Sequence, residues 1–531
     1  MRARTVLTDI SSLFASVSQS TTHMFFPLHP RTACCAVALS GLAACAVGPD
    51  FRTPAVSPPD RLLNIESTAS GSSFSTDAVE ADWWKQFQDP VLTSIESRVA
   101  EQNLELQAAD ARIWQSRARL RVVGADAYPS FSVNASELRE RASPNGILRL
   151  TGPAGAMGGT AANGADPFGT SALQGQLGSP PYSLWQYGID ATWEIDIWGK
   201  IRRAKESAQA TADATVYDRE AVRVLISAEV ARAYLALRGV QAELAIARKN
   251  QEIAQATLRL ATRREEQGVA TRYDAASANA ELATINAIIP DLDRQRAALM
   301  NALALLLGEA PHALDSELSA GSGIPAPPAI VPIGLSSDLA RRRPDILRAE
   351  AELHAAVAAI GVAKANFYPS ISLTGSFGIQ ALKFTEAGDW SARQFAVGPV
   401  LHLPIFEGGR LMGTLALTKA RHQEAAIRYR QTVLTAWHEV DDAMTAYRAE
   451  QSRDEQLGAA VENNRIAFRT AQQRYAQGAS TFLSVLIAQR DLLATERALA
   501  RSRTELSISM VRLYKVLGGG WSPDVDGAVN R

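Results

Sequence analysis

Two stretches of the chain place apolar residues at every second position. From Tyr187 to Ile197, the apolar positions Tyr187, Ile189, Ala191, Trp193, Ile195 and Ile197 interleave with Gly188, Asp190, Thr192, Glu194 and Asp196. A period of two is a β-strand with one oily and one hydrated face. In the second stretch, Phe395, Val397, Leu401, Leu403 and Ile405 share one such face. Each stretch runs directly into a segment almost free of Gly and Pro, from Lys200 and from Arg410, which reads as a single helix. In the first of these, Leu237, Val240, Leu244, Ala247, Ala254, Leu258 and Ala261 keep a 3-4 spacing, with Gln251 the one polar interruption. That is a coiled-coil seam. At ~1.5 Å per residue such a helix is roughly 100 Å long.

The two stretches belong to two copies of one unit. Tyr128-Pro129-Ser130 returns as Tyr368-Pro369-Ser370, Gly199-Lys200 as Gly409-Arg410, Gln267-Gly268 as Gln477-Gly478, and Leu307-Gly308 as Leu517-Gly518. The first pair is spaced by 240 residues and the other three by 210, so the first copy carries a longer segment between its strands. That segment, 138–183, is rich in Gly, Pro, Ala and Asn and reads as a surface loop. Each unit reads helix, strand, loop, strand, very long helix, turn, helix. The first copy gives 90–125, 128–137, 184–197, 199–266 and 271–307; the second gives 344–365, 368–379, 394–406, 410–476 and 481–517. Pro290 is expected to kink its helix. The units therefore occupy 90–307 and 344–517, separated by a linker, 308–343, and followed by a tail, 518–531.

Composition narrows the class. Hydrophobic residues make up 47% and charged residues 21%, and the net charge is -1. The basic footprint of a nucleic-acid binder is missing. Past residue 45 there is no apolar run long enough for a transmembrane helix, so a membrane would be crossed by strands. The expected strands have about 9–12 residues, as tilted spans need. Trp185, Tyr187, Trp193 and Trp198 stand where an aromatic girdle would sit. The same alternation also suits an amphipathic sheet over a soluble core.

In lipid, four strands leave open edges, which is not viable. Two chains would give eight strands and a barrel filled by side chains; three give twelve and a lumen. The expected fold is an α+β membrane protein with a two-fold internal repeat. Three chains, four strands each, would close a 12-stranded β-barrel, and the long coiled-coil helices would continue its lumen away from the membrane. Asp190, Glu194 and Asp196 would line the barrel lumen, although a merely wet strand face explains the same residues.

The only cysteines are Cys34, Cys35 and Cys45, which leaves the body without disulfides or a Cys-ligated metal. Thr32 to Leu42 is a short apolar run after Arg31, with the length of a signal h-region. It ends Leu42-Ala43-Ala44-Cys45, which resembles a bacterial lipobox. That implies a signal peptide over 1–44 and a covalent lipid, palmitate included, on Cys45 as the one non-protein group; no other cofactor is expected. Ala46 after the cysteine, instead of Asp, favours the outer membrane. A start at Met24 would place Arg31 in a short n-region. Residues 46–78 are rich in Pro, Ser, Thr and Gly and should be extended, so that 45–89 forms a lipid-anchored N-terminal segment.

An enzyme needs a convergent site. The seven His are scattered, His402 and His438 have no spaced metal partners, and no phosphate loop or nucleophile motif is present. No catalytic activity and no metal site are expected.

Several short motifs in order carry a resemblance. They are the lipobox followed by Val47-Gly48-Pro49-Asp50-Phe51; Asp82-Trp83-Trp84 with Phe87 and Asp89-Pro90; the two Tyr-Pro-Ser strand starts; Arg342-Arg343-Pro344-Asp345; and Arg474-Tyr475 with Gly478 and Ser480. Together with the repeat, they resemble the TolC-like outer-membrane factors, in the lipoprotein branch serving RND-type multidrug efflux pumps. The resemblance implies a homotrimer anchored in outer-membrane lipid: a trimeric 12-stranded outer-membrane β-barrel continuing into a long α-helical coiled-coil periplasmic tunnel, with a mixed equatorial region around the tunnel's middle. It also implies a periplasmic adaptor protein and an inner-membrane RND-type transporter as partners.

The turns at Gln267-Gly268-Val269-Ala270-Thr271 and Gln477-Gly478-Ala479-Ser480-Thr481 read as a C-cap Gly followed by an N-cap Thr or Ser. By the resemblance these tips form the periplasmic mouth, with Arg264, Gly268, Thr271, Arg474, Tyr475, Gly478 and Ser480 at or near the adaptor. Arg465, Arg469, Gln472 and Gln473 are candidates for a closed gate, although a solvated helix face explains them equally. The expected function is a passive exit duct for drugs or other small toxic compounds. The alternatives are a duct for type I protein secretion or metal efflux, and a structural coiled-coil lipoprotein. The long first loop and the extra N-terminus depart from the family pattern.

Overall fold

A computed structural model describes residues 46–54, 74–75, 77–141, 181–321, 323–334 and 342–522. Cys45, the signal segment, most of the long first loop and the last nine residues fall outside the described residues.

The element order is β1 (Phe74–Ser75), α1 (Pro90–Gln102), α2 (Leu104–Ala125), β2 (Ser130–Glu140), β3 (Tyr182–Ile195), α3 (Lys200–Glu266) and α4 (Arg272–Leu306). It continues with α5 (Asp315–Leu318), β4 (Val331–Pro332), α6 (Pro344–Ala365), β5 (Ser370–Ala381), β6 (Arg393–His402), α7 (Arg410–Ala476) and α8 (Phe482–Val516). The internal repeat is nearly exact in length: α3 and α7 each have 67 residues, α4 and α8 each 35, and α2 and α6 each 22.

One expectation is corrected. The helix over 90–125 is broken at Asn103, whose backbone turns extended at ψ 127. Its side chain makes the break stable: Oδ1 accepts from the amides of Glu105 and Leu106, and Nδ2 donates to the carbonyl of Leu306. One residue thus ends α1, caps α2 and ties both to the end of α4. Helix α4 runs unbroken through Pro290. Pro290 and Asn286, whose carbonyl the missing N–H frees, both lie on the exposed side, where water can satisfy it.

Neither the sheet nor the tips hold the main core. The largest apolar cluster collects Ile226–Leu237 from α3 and Val440–Tyr447 from α7, near the middle of both long helices. Trp83, Trp84, Phe87 and Leu92 from the N-terminal side, and Tyr514 and Leu517 from the C-terminal side, close around it. Trp83 stacks on Tyr514 at 5.4 Å, and β1 pairs in parallel with β4 beside them. A mixed region at mid-height thus welds two repeats that otherwise touch as long, slender helices.

Candidate membrane span, anchor strap and helical tips

The four long strands form one antiparallel sheet in the order β2-β3-β5-β6. Register makes its two faces consistent across all four. Val133 stands beside Ile189, Ile189 beside Phe377, and Phe377 beside Phe395. On the other face Ser132, Asp190 and Ser376 form the adjacent row. Among the described residues nothing covers the oily face: Val133 is 77% exposed and Phe395 75%. Nothing among the described residues pairs with the outer edges of β2 and β6. A sheet with a bare apolar face and open edges needs a non-aqueous surround and further strands.

Aromatic residues mark both ends of the sheet. Near the loop end, Trp185 meets Phe384 at 5.0 Å, and Tyr187 donates its hydroxyl to the carbonyl of Ala387. At the helix end, Trp198 stacks on Tyr368 at 4.7 Å and donates to the carbonyl of Pro369, while Trp193 donates to that of Ala127. Rings with an apolar body and a bonded polar atom suit the boundary between lipid and water.

The acidic strand residues have separate local roles. Asp190 accepts from Asn134 Nδ2 at 2.5 Å on the polar face. Glu194 pairs with Lys200 at 3.0 Å. Asp196 lies one residue past β3 and accepts from the amides of Ile201 and Arg202 at 3.1 and 2.9 Å, covering the first turn of α3. Gly199, with φ 77, makes the corner between strand and helix.

That corner also receives the chain that follows Cys45. The amide of Val47 donates to the carbonyl of Trp198 at 3.0 Å. Gly48 lies so close to Gly361 that a Cβ on it would stand 2.6 Å from the Gly361 Cα. Asp50 binds Arg203 at 2.5 Å, and that guanidinium holds its carboxyl below the usual range. Phe51 stacks on His354 at 4.5 Å, His354 binds Glu206 at 3.0 Å, and Thr53 donates to Glu350. Residues 46–54 are therefore a strap pinned along α6, its first residue at the strand–helix corner.

The far ends of the long helices are built differently from each other. Gly268 and Gly478 have φ 72 and 74. Each follows a Schellman closure: Val269 N–H bonds to Arg264 carbonyl and Ala479 N–H to Arg474 carbonyl, both at 2.8 Å. The first tip adds a capping box between Thr271 and Asp274. The second opens α8 at Thr481 without a side-chain cap, and the Ser480 hydroxyl is buried without a partner.

Arg264 crosses from the first tip to the second. Its guanidinium lies over the Tyr475 ring and donates to the carbonyls of Tyr475 and Ala476 at 3.2 and 3.3 Å. Its counterpart in the repeat, Arg474, points away and is exposed. Tyr475 itself packs with Phe482 and Phe468 in an apolar cluster that also takes in Ala261 and Ala278 of the first repeat. Of the four gate candidates, Arg465 pairs with Glu462 and Glu496, whereas Arg469, Gln472 and Gln473 project from the chain.

Sequence reasoning passed over the buried polar ties of the mid-height region. Arg238 is 2% exposed; it donates to the Tyr234 hydroxyl, Gln241 and the carbonyl of Ala320. The signal was available: an arginine inside the apolar run Ala233 to Gly239.

Among the described residues no helix is long and apolar enough to cross a membrane, and no group of three or more His, Cys, Asp or Glu is placed to hold a metal. Residues 96–309 and 335–519 match a family described as outer membrane efflux protein. The pyoverdine export outer membrane protein OpmQ of Pseudomonas putida is 31% identical, over 93% of this chain and 98% of that protein. The outer membrane protein OprJ of Pseudomonas aeruginosa is also 31% identical, over 90% of this chain and 94% of its own. Among solved structures, the outer-membrane channel OprN superposes with a TM-score of 0.79 at 32% identity, covering 90% of this chain and all of that one.

Proposed function

The chain belongs to the outer membrane efflux protein family, and from that premise we propose that it is the outer-membrane exit duct of a tripartite efflux pump. The observation that carries the proposal is the sheet. Its oily face, open edges and aromatic ends belong in a bilayer, and β3 and β6 lead into helices ~100 Å long that must stand in the periplasm.

Closing the edges takes copies of the same chain. Three chains give twelve strands with the polar rows of Asp190 and Ser376 inside, and four helical tracks from each chain continue the bore below. A lipid on Cys45 fits this arrangement, because Ala46 sits at the corner where strand gives way to helix, the level of the inner leaflet. Acyl chains there enter the bilayer beside the barrel.

The tips are the end remote from the membrane and the surface open to an adaptor protein. Val269 and Tyr273 beside the first tip and Leu483 beside the second are exposed apolar groups available to it. An inner-membrane transporter would load the duct through that mouth. Arg469, Gln472 and Gln473, on one stripe of α7 just before its tip, are the groups we assign to a closed mouth, with Arg465 held in place by Glu496.

Relatives are named for pyoverdine export, toluene efflux and antibiotic efflux. Small organic compounds are the cargo class these names favour over proteins. Reconstitution of the full chain in a planar bilayer tests the proposal. Stepwise single-channel currents are expected; a protein that inserts yet never conducts, even with its tips removed by proteolysis, contradicts it.

A further inference from the structure

Between the sheet and the mid-height core, the wall formed by α2, α3, α6 and α7 is hollowed on one side. A recess of about 490 Å³ has a floor of small residues, including Ala204, Ala208 and Thr211, and walls that include Arg119, Ala359 and Thr414. It shares Ser116, Arg119 and Thr211 with a second recess of about 600 Å³, which adds Arg112, Asp218, Arg348 and Glu352.

The strap decides which side this is. It lies on the Glu350, His354 and Gly361 face of α6. Arg348, Ala355, Ala359 and Val362 line the recesses. At about 100° per residue these two sets point in nearly opposite directions. The strap leads to the lipid-bearing residue and so runs outside the wall; the recesses face the bore. This placement rests on the proposed anchor and duct.

Charge inside the recesses is unbalanced toward cations. Asp218 is shared by Arg348 at 2.6 Å and Arg112 at 3.5 Å. Glu352 approaches Arg348 only to 3.9 Å, and Arg348 Nε is buried with no hydrogen-bond partner. Arg119 has no acidic partner among the described residues and is exposed. Three guanidiniums therefore face two carboxylates, and one of the three is free. Guanidinium groups recognise carboxylates by paired, charge-assisted hydrogen bonds.

We infer that this recess is a way-station in the bore for small organic anions, in which Arg119 receives a carboxylate of the passing compound and the Arg348 side adds a second donor. Repeated in each chain, it forms a cationic belt above the mid-height region, favouring carboxylate-bearing cargo over cationic cargo.

Calorimetric titration of citrate into the full-length protein in detergent, at low salt, tests the inference. The wild type is expected to bind citrate with an affinity that falls as salt rises. Arg119→Gln should weaken it roughly tenfold and Arg119→Lys much less. Arg121→Gln, which removes an exposed charge from the other side of α2, should leave it unchanged. Absence of binding in the wild type, or equal losses in Arg119→Gln and Arg121→Gln, overturns the inference. The recess is built within one chain, so citrate binding by a protein that fails to assemble would contradict the duct and leave the site standing.

Discussion

The guanidinium of Arg264, at the end of the first long helix, lies 4.4 Å from the centre of the Tyr475 ring at the end of the second. The same group donates to two carbonyls that close α7, so one side chain from the first repeat caps the helix of the other. Around this contact Ala261 and Ala278 of the first repeat pack into the same apolar cluster as Tyr475 and Phe482. A cation–π contact is worth about 0.5–1 kcal/mol at an exposed site, and each net hydrogen bond about as much again. Arg264→Ala should leave global melting within ~2 kcal/mol of wild type while loosening the second tip. Amide exchange over 474–479 is expected to speed up severalfold in Arg264→Ala and only slightly in Arg474→Ala. Equal acceleration in both would refute the crossed latch.

Gly199 and Gly409 occupy the same place in the two repeats, with φ 77 and 87, yet their surroundings differ. A Cβ on Gly409 meets nothing within 4 Å, whereas one on Gly199 would stand 2.8 Å from Ala46. Gly409→Ala should cost only the left-handed backbone strain, ~1–2 kcal/mol. Gly199→Ala should in addition lift the strap, seen as faster tryptic cleavage after Arg52. If the two variants are cleaved alike, the strap is not held at that corner.

Lipid attachment is read at Cys45 itself. Labelled palmitate is expected to enter the wild-type chain and to be absent from Cys45→Ala. Label persisting in the variant, or missing from the wild type, removes the anchor.

Glu96 on α1 is 3% exposed in the mid-height region, and burial pushes its carboxyl well above the usual range, with Ser227 and Arg223 too weak to offset it. The folded-state value lies above the unfolded one. The stability this carboxyl contributes is thus full below the ordinary carboxylate range and is lost as pH rises through the raised value. Glu96→Gln should therefore melt higher than wild type at pH 8 and indistinguishably from it at pH 4. A difference independent of pH would show that ionisation at this site costs nothing.

The repeat, the strands and both long helices could be read from the chain because each has a single dominant period. α7 was expected at 410–476 and is found there, since its N-terminal Gly409 and C-terminal Gly478 punctuate it locally. The break at Asn103 could not be read in the same way. Asn103 caps α2 locally, but its amide also ties the break to Leu306, more than 200 residues away, and no local pattern shows that tie. The crossed contact of Arg264 was equally hidden: by the repeat alone it is equivalent to Arg474, and tertiary packing makes one a latch and leaves the other in solvent. Asp196 reads as a strand residue by period and acts as a helix cap, because the strand ends one residue before it.

The central claim is that one chain supplies one third of a closed duct. Native mass spectrometry of the full-length protein released from a mild detergent measures this most directly. The expected spectrum is a single assembly of three chains that persists until the sheet edges are disrupted by denaturant. A stable single chain, or an assembly of two, would contradict the account.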